Sequence, residues 1–219
     1  MTWPARTARL LIRRVTADDA AAVWRYRRLP QVYDWITTAP ADEESFTAYF
    51  EDPHRLSVTL AVEYEGLVIG DLYLHIEDPW AQTEVKEAAR GVQAEIGWVL
   101  DASYGGQGLA TEAVAAMLRI CFEELGLRRV VANCFADNTG SWRLMERLGM
   151  RREAHTVSDS LHRSGRWLDG YSYALLAAEW RRSADDQGGA PYPETSAWTA
   201  SIRAADVSHE YSSARVRAD

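Results

Sequence analysis

The glycine-rich stretch GGQGLATEA, residues 105–113, constrains the fold of this chain more than any other feature. Three of its first four residues are glycines, and the residues that follow favour an α-helix. Residues 94–100 before it alternate with the period of a strand, and residues 128–135 after the helix have the composition of another strand. Strand, glycine turn, helix and strand in this order predict a βαβ-like crossover.

Periodicity and turn signals predict the elements on either side of this crossover. The helix after the glycines ends at Gly126 and carries an apolar stripe of Val114, Met117, Leu118, Cys121, Phe122 and Leu125. A second helix begins at Asp137 and ends at Gly149. The other predicted elements are a first strand at 7–14, a helical flap at 16–53, a hairpin at 56–76, a polar loop at 77–92, strands around 150–158 and 167–176, and a short helix at 177–182. Together they predict an α+β fold with about seven strands.

Length and composition predict one domain followed by a tail. With 219 residues, 47% of them hydrophobic, the chain is long enough for one sizeable core. Residues 183–219 are polar and contain Gly and Pro, so we expect the domain to span 1–182 and the rest to form a tail. Aromatic residues in this tail could dock on the same subunit or on a neighbour, which leaves a homodimer open.

Several classes of function are disfavoured by charge and by residue spacing. The net charge of −8 and a pI near 5.2 argue against nucleic acid as a partner. No apolar run reaches the roughly 18 residues of a membrane span, so we expect a soluble, cytoplasmic protein without a membrane partner. The five histidines and two cysteines have no metal-ligand spacing, so no metal is expected.

The glycine turn has two physical explanations that the residues alone leave open. Unpaired amides at a helix N-terminus bind anions, and missing side chains let a diphosphate approach the backbone. A tight turn that needs positive φ angles explains the same glycines. The stretch lacks the GK[ST] ending of a P-loop and the GxGxxG spacing of a dinucleotide site.

Two blocks of sequence resemble a known family. AEIGWVLDASYGGQGLATEA and, further on, ADNTGSWRLMERLGM are similar to motifs of the GNAT superfamily of acetyl-CoA-dependent N-acetyltransferases. The resemblance is to its RimJ/RimL-like branch, named for acetylation of ribosomal-protein N-termini, and it covers residues 7–181. It implies a GNAT-type α+β (α/β) fold with a mixed, mostly antiparallel sheet, in which acetyl-CoA lies where the fourth and fifth strands part.

The resemblance also implies which residues hold the cofactor. The backbone of Trp98, Val99 and Leu100 would pair with the pantetheine arm, and Asn138 would contact the same arm. The pyrophosphate would be held by the amides of Gly105, Gly106, Gln107, Gly108, Leu109, Ala110 and Thr111. The family's usual glutamine or arginine at the head of this loop is Gly105 here, so a side-chain contact to the phosphates is missing at that position.

Acetyl transfer needs a neutral amine, an oxyanion donor and a proton for the leaving thiolate. Glu95 is the candidate base, because a carboxylate buried in a central strand would have a raised pKa. Ser141, in an N-x-x-S pattern, is the candidate proton donor to the thiolate, as the resemblance implies. A main-chain N–H near Val99 or Leu100 would serve the oxyanion. Structural roles remain open as well. Glu95 could be a carboxylate that is bonded to a neighbouring strand or faces solvent, Asn138 could be a helix N-cap, and Ser141 could be a first-turn helix residue.

The acceptor is the least constrained part of the sequence. Tyr33 and Trp35 in the flap, with Trp80 in the long loop, are candidates for lining an acceptor pocket, although most tryptophans are core residues. The acceptor is expected to be a protein N-terminus or a small amine such as an aminoglycoside or polyamine. A longer acyl donor also stays open, as does a catalytically silent acyl-CoA-binding regulatory module.

Overall fold

A computed structural model describes residues 4–186 of the chain, with side chains described through residue 181. The strands are β1 (Ala5–Arg6), β2 (Leu10–Arg14), β3 (Thr59–Tyr64), β4 (Leu67–Glu77), β5 (Gln93–Leu100), β6 (Arg129–Phe135), β7 (Arg151–Leu161) and β8 (Trp167–Leu176). The helices are α1 (Ala20–Arg27), α2 (Pro30–Tyr33), α3 (Glu43–Phe50), α4 (Pro53–Val58), α5 (Leu109–Arg119), α6 (Thr139–Arg147) and α7 (Ala177–Asp186). Short 3-10 turns lie at Ala17–Asp19, Thr83–Ala89 and Ala102–Tyr104.

The described strands form one mixed sheet. Their order is β1-β2-β3-β4-β5-β6-β8-β7, and β5 with β6 is the parallel pair among them. The other neighbours are antiparallel. This confirms the α+β fold with a mixed, mostly antiparallel sheet, and the eighth strand is the two-residue β1.

The sheet opens between β5 and β6. These strands pair only from Gln93 with Arg129 to Glu95 with Val131. Beyond that point β5 continues against β4 to Leu100, while β6 continues against β8 to Phe135. The two strands therefore diverge into a gap whose closed end lies at Glu95.

Each face of the sheet packs against helices. The larger core lies against α5 and α6, and the whole predicted stripe of α5 is buried in it. Alternate residues of a strand point to opposite faces of the sheet. The strand residues that lie between those of the larger core therefore point to the other face. There a smaller core joins Val23 and Tyr26 of α1 to Phe46 and Phe50 of α3.

A buried carboxylate attaches the flap to this second face. Asp71 on β4 is 1% exposed, and the hydroxyl of Tyr26 donates a hydrogen bond of 2.7 Å to it. The guanidinium of Arg27 forms an ion pair with the same carboxylate. Burying a charge is costly unless it is paired and hydrogen-bonded, so this network fixes the position of α1 on the sheet.

The predicted elements agree with the structure except at a few boundaries. Residues 56–58, predicted as the start of the hairpin, belong to α4. Pro53 at its first turn and the side chain of Asp52, which accepts from two backbone amides, favour a helix start at that place. The loop at 77–92 contains the 3-10 turn Thr83–Ala89, and α5 continues as a π-turn at Ile120–Glu124 before Gly126.

The predicted division between a domain at 1–182 and a tail at 183–219 stays a prediction. Helix α7 is observed and ends at Asp186, whereas residues 187–219 of the predicted tail lie outside the described residues. Among the helices of the described part, none is both long and apolar enough to cross a membrane.

Candidate functional site

The glycine turn forms the N-terminal end of α5. Gly106 and Gly108 have φ angles of +75° and +77°, a region that side chains disfavour, and Gly108 is the N-cap of the helix. The first intrahelical bond runs from the amide of Glu112 to the carbonyl of Gly108. The amides of Leu109 and Ala110 therefore have no acceptor within the helix, and they point out of its positive end. Such an arrangement of amides is suited to binding an anion.

A cavity of about 750 Å³ lies in front of this turn. Its walls come from the end of β5, the glycine turn, the first turns of α5, and α6. Its lining includes six of the seven predicted pyrophosphate-loop residues: Gly105, Gly106, Gly108, Leu109, Ala110 and Thr111. The opposite wall is formed by Gly140, Leu144 and Arg147. The cavity thus joins the glycine turn to the open end of the β5–β6 gap.

The turn between β1 and β2 holds the glycine turn in place. Arg9 donates through its backbone amide and its Nε to the carboxylate of Glu112, at 2.9 and 2.7 Å. Its Nη1 donates to the carbonyl of Gln107 at 3.0 Å, and the Thr7 hydroxyl donates to Glu112 at 2.6 Å. Burial alone would raise the pKa of Glu112, but these hydrogen bonds lower it overall. Glu112 is therefore ionised, and it ties the turn between β1 and β2 to the start of α5.

Arg147 is a site residue that the sequence analysis missed. Its Nη1 donates to the hydroxyl of Thr111 at 2.9 Å, across the cavity from α6 to the first turn of α5. The side chain is exposed and brings a positive charge beside the glycine turn, which lacks a cation at Gly105. The available signal was its place in the last turn of α6, shortly before Gly149.

The exposed edge of β5 supplies backbone groups to the gap. The backbone amide of Asp101 donates to the carbonyl of Ile69, so it points towards β4. The carbonyl of Val99 points the same way, because its oxygen would lie only 2.5 Å from a Cβ if Gly70 of β4 had one. Because successive residues of a strand direct their polar groups to opposite edges, Trp98 and Leu100 direct theirs into the gap. Of the three predicted pantetheine contacts, Val99 faces β4 instead.

Asn138 and Ser141 begin α6 on the other side of the gap. Asn138 is the N-cap, and its side-chain oxygen accepts from the amide of Ser141 at 3.2 Å. This is the predicted capping role. Within residues 4–181, the hydroxyl of Ser141 has no hydrogen-bond partner, so it is free to bond a ligand.

Glu95 stands half-buried at the closed end of the gap, on the face that carries the flap. Asn133 of β6 donates from its Nδ2 to Glu95 Oε1 at 3.1 Å. His75 lies directly opposite Glu95 on β4, which puts the two side chains on one face. Its buried Nδ1 has no hydrogen-bond partner in the described part of the chain. A carboxylate and an imidazole therefore adjoin where the two strands part, and His75 was not predicted.

The structure separates the three predicted acceptor residues. The ring of Trp35 lies 6.4 Å from that of Phe135 at the end of β6, and Tyr33 is covered by the guanidinium of Arg163 at 3.9 Å. Trp80 is 91% exposed in the loop after β4. Tyr33 and Trp35 thus lie on the gap's flap side, whereas Trp80 has no such contact among the described side chains.

A family model described as an acetyltransferase (GNAT) domain matches residues 9–151, more than half of the chain. The chain belongs to this family. A Bacillus subtilis relative, the uncharacterized N-acetyltransferase YnaD, is 31% identical over 179 residues, which cover 80% of this chain and 97% of that protein. This GNAT protein is thus an N-acetyltransferase.

Two further comparisons point to the predicted branch. The [ribosomal protein uS5]-alanine N-acetyltransferase of Escherichia coli is 31% identical over 85 residues, 39% of this chain and 43% of that enzyme. The structure of Mycobacterium smegmatis RimJ in complex with CoA-disulfide matches with a TM-score of 0.64 and 24% identity, covering 82% of this chain and 89% of that one. The second match shows a shared fold. The first match agrees with the RimJ/RimL-like resemblance of this GNAT enzyme.

Proposed function

We propose that this GNAT enzyme transfers an acetyl group from acetyl-CoA directly to the primary amine of a protein N-terminus, with both substrates bound together. The observation that carries the proposal is the gap between β5 and β6. A glycine-capped helix N-terminus opens onto one side of it, and Glu95 stands at its closed end on the other face. A diphosphate-bearing thioester and an amine can therefore meet in the gap from opposite faces.

The residues on the cofactor side bind and orient acetyl-CoA. The amides at the start of α5 hold the diphosphate, assisted by the charge of Arg147. The backbone of Trp98 and Leu100 pairs with the pantetheine arm, and Asn138 contacts it from α6. These contacts direct the thioester carbonyl towards Glu95.

Proton transfers complete the reaction. Glu95 accepts a proton from the acceptor ammonium, directly or through water, and the neutral amine attacks the thioester carbonyl. The backbone amide of Leu100, which faces the gap, donates to the developing oxyanion. Ser141 then gives its proton to the leaving thiolate as the C–S bond breaks, and it regains a proton from the attacking nitrogen, directly or through water, so that a neutral amide and a neutral hydroxyl remain. No covalent enzyme intermediate is formed.

Thiol release with acetyl-CoA and an alanine-initiated peptide tests the proposal. Burial raises the pKa of Cys121 to about 12 and that of Cys134 to about 11, so the folded protein adds little thiol signal of its own. We expect release that depends on the peptide, with mass spectrometry locating the acetyl group on its N-terminal nitrogen. Acetyl-CoA binding without turnover on peptides, polyamines or aminoglycosides would instead indicate a silent module.

Replacing Ser141 by alanine is expected to lower turnover by about 100-fold, the lower end of the range for loss of a general acid. Acetyl-CoA affinity should change by less than about threefold, because the Asn138 cap bonds the backbone and not the hydroxyl of Ser141. Steady-state kinetics and calorimetry separate the two effects. An unchanged turnover would remove Ser141 from the role of acid.

Replacing Arg147 by alanine is expected to weaken acetyl-CoA binding by about tenfold, the effect of one charge-assisted contact at an exposed site. Arg143→Ala is the matched control, because it lies one turn earlier on α6 and stacks on Trp142, with 5.3 Å from its guanidinium carbon to the ring centroid. Calorimetry should give the control the affinity of the wild type. Equal losses in both variants would contradict a specific contact from Arg147.

A further inference from the structure

Gly97 is a strand glycine that the fold itself does not require. It lies in the middle of β5, opposite Tyr73 of β4, and its φ angle is outside the left-handed region. A glycine inside a strand is less favourable than an alanine, because it loses more backbone entropy on folding and has no side chain to pack. Such a glycine often marks a place where a ligand or another backbone comes close.

The other two glycines inside the described strands have a structural explanation. A Cβ on Gly70 would lie 2.5 Å from a carbonyl oxygen of β5, and one on Gly170 would lie 2.7 Å from a hydroxyl oxygen of β7. Neither position can hold a side chain unless its neighbour moves. A Cβ on Gly97 would instead contact the side chain of Tyr73 at 3.5 Å, an ordinary van der Waals distance. Packing among the described residues therefore leaves room for a methyl group at Gly97.

This room lies beside the proposed base. Residues i and i+2 of a strand share a face, so Gly97 follows Glu95 on the same face, about 7 Å further along β5. Beyond Glu95, β5 no longer pairs with β6, and one flank of Gly97 borders the open part of the gap. Tyr73 borders the other flank. The room at Gly97 therefore adjoins the gap on the face opposite the cofactor side.

The two neighbours of Glu95 on this face of β5 differ in the room they leave. Gln93 lies where β5 still pairs with β6, and its side chain donates to Glu77 at 2.6 Å. Gly97 lies where the strands have parted, and it has no side chain. An amine bound at Glu95 therefore has room for a substituent on the Gly97 side and not on the Gln93 side.

We propose that Gly97 makes room for the side chain of the acceptor's first residue, and so determines which N-terminal residues the enzyme accepts. The inference rests on the proposed function, because that function places the acceptor amine at Glu95. The Cα of the first residue is bonded to this amine, so its side chain begins within two bonds of the nitrogen. A methyl group on residue 97 would compete with that side chain for the same space.

Gly97→Ala adds this methyl group and leaves Glu95, Ser141 and the glycine turn unchanged. The probes are two peptides that differ only in their first residue, which is glycine in one and alanine in the other. We expect the ratio of kcat/KM for the glycine peptide to that for the alanine peptide to rise by about tenfold, the effect of one methyl group in a fitted site. Calorimetry should find acetyl-CoA affinity within about twofold of the wild type, since the change lies on the opposite face.

Urea unfolding separates this role from a structural one. The midpoint of Gly97→Ala should be no lower than that of the wild type, because alanine is favoured over glycine in a strand and its methyl group fits. Gly70→Ala is the contrasting variant. Its Cβ would lie 2.5 Å from a carbonyl oxygen, so its midpoint should fall.

A peptide ratio within about twofold of the wild-type value would overturn the inference, even if both rates fell together. A lowered urea midpoint for Gly97→Ala would also overturn it, because the fold would then account for the glycine. The proposed function would survive either result as long as the wild type acetylates a peptide. No turnover by the wild type on either peptide would overturn both.

Discussion

Replacing Gly106 by valine is expected to weaken acetyl-CoA binding by at least about 100-fold, because several charge-assisted hydrogen bonds to one diphosphate are lost together. Gly106 has a φ of +75°, and a Cβ built on it meets no atom within 4 Å, so its side-chain direction points into open space beside the anion site. A valine there forces the turn to rearrange and fills the approach to the amides. Titration calorimetry with acetyl-CoA measures the loss.

Gly66→Val is the matched control for this substitution. Gly66, in the β3–β4 turn, has a φ of +79° and equally open surroundings. Both variants should lose about 1 to 3 kcal/mol of folding free energy from the same backbone strain. Only Gly106→Val should lose acetyl-CoA affinity. Similar affinities in the two variants would show that the glycine turn serves the fold and not the ligand.

Replacing Glu95 by glutamine is expected to reduce kcat by about 100- to 1,000-fold, within the range for a general base. Acetyl-CoA affinity should stay within about twofold of the wild type, because Glu95 lies on the face opposite the cofactor side. The deficit should shrink as the pH rises above about 8, where an α-amino group is already neutral in solution and needs no base. Initial rates at saturating peptide across this pH range provide the measurement.

Glu77→Gln is the control for the loss of a negative charge on the same face. Glu77 lies on β4 opposite Gln93, whose side chain donates to it at 2.6 Å. This variant should keep the turnover of the wild type. A Glu95→Gln enzyme with near wild-type turnover, or one whose deficit is independent of pH, would assign Glu95 a structural role with Asn133.

Local chemistry made the backbone geometry of the proposed cofactor side predictable from the sequence. The positive φ angles at Gly106 and Gly108, the Asn138 cap and the stop at Gly149 are each determined within one turn of chain. The apolar stripe of α5 likewise follows from the helical spacing of its residues in the sequence, and it is buried as predicted. A sequence read in short windows contains all of this information.

Long-range contacts account for what the sequence did not predict. Arg147 meets Thr111 from another helix, and His75 adjoins Glu95 only through the register of β4 against β5. The contacts of His162 with Asp34 and of Arg163 with Ile36 join positions 128 and 127 residues apart in the chain. Such contacts depend on tertiary packing, and no local pattern specifies them. The two-residue β1 was missed for the same reason, since its pairing with β2 defines it.

The proposed reaction needs a diphosphate held at the start of α5 with its thioester in the β5–β6 gap. A crystal structure of the protein with CoA tests this most directly. The predicted result is diphosphate oxygens about 2.7 to 3.2 Å from backbone amides of residues 106–111, with the pantetheine arm alongside Trp98 and Leu100. CoA bound elsewhere, or an empty gap in crystals grown with excess CoA, would contradict the account.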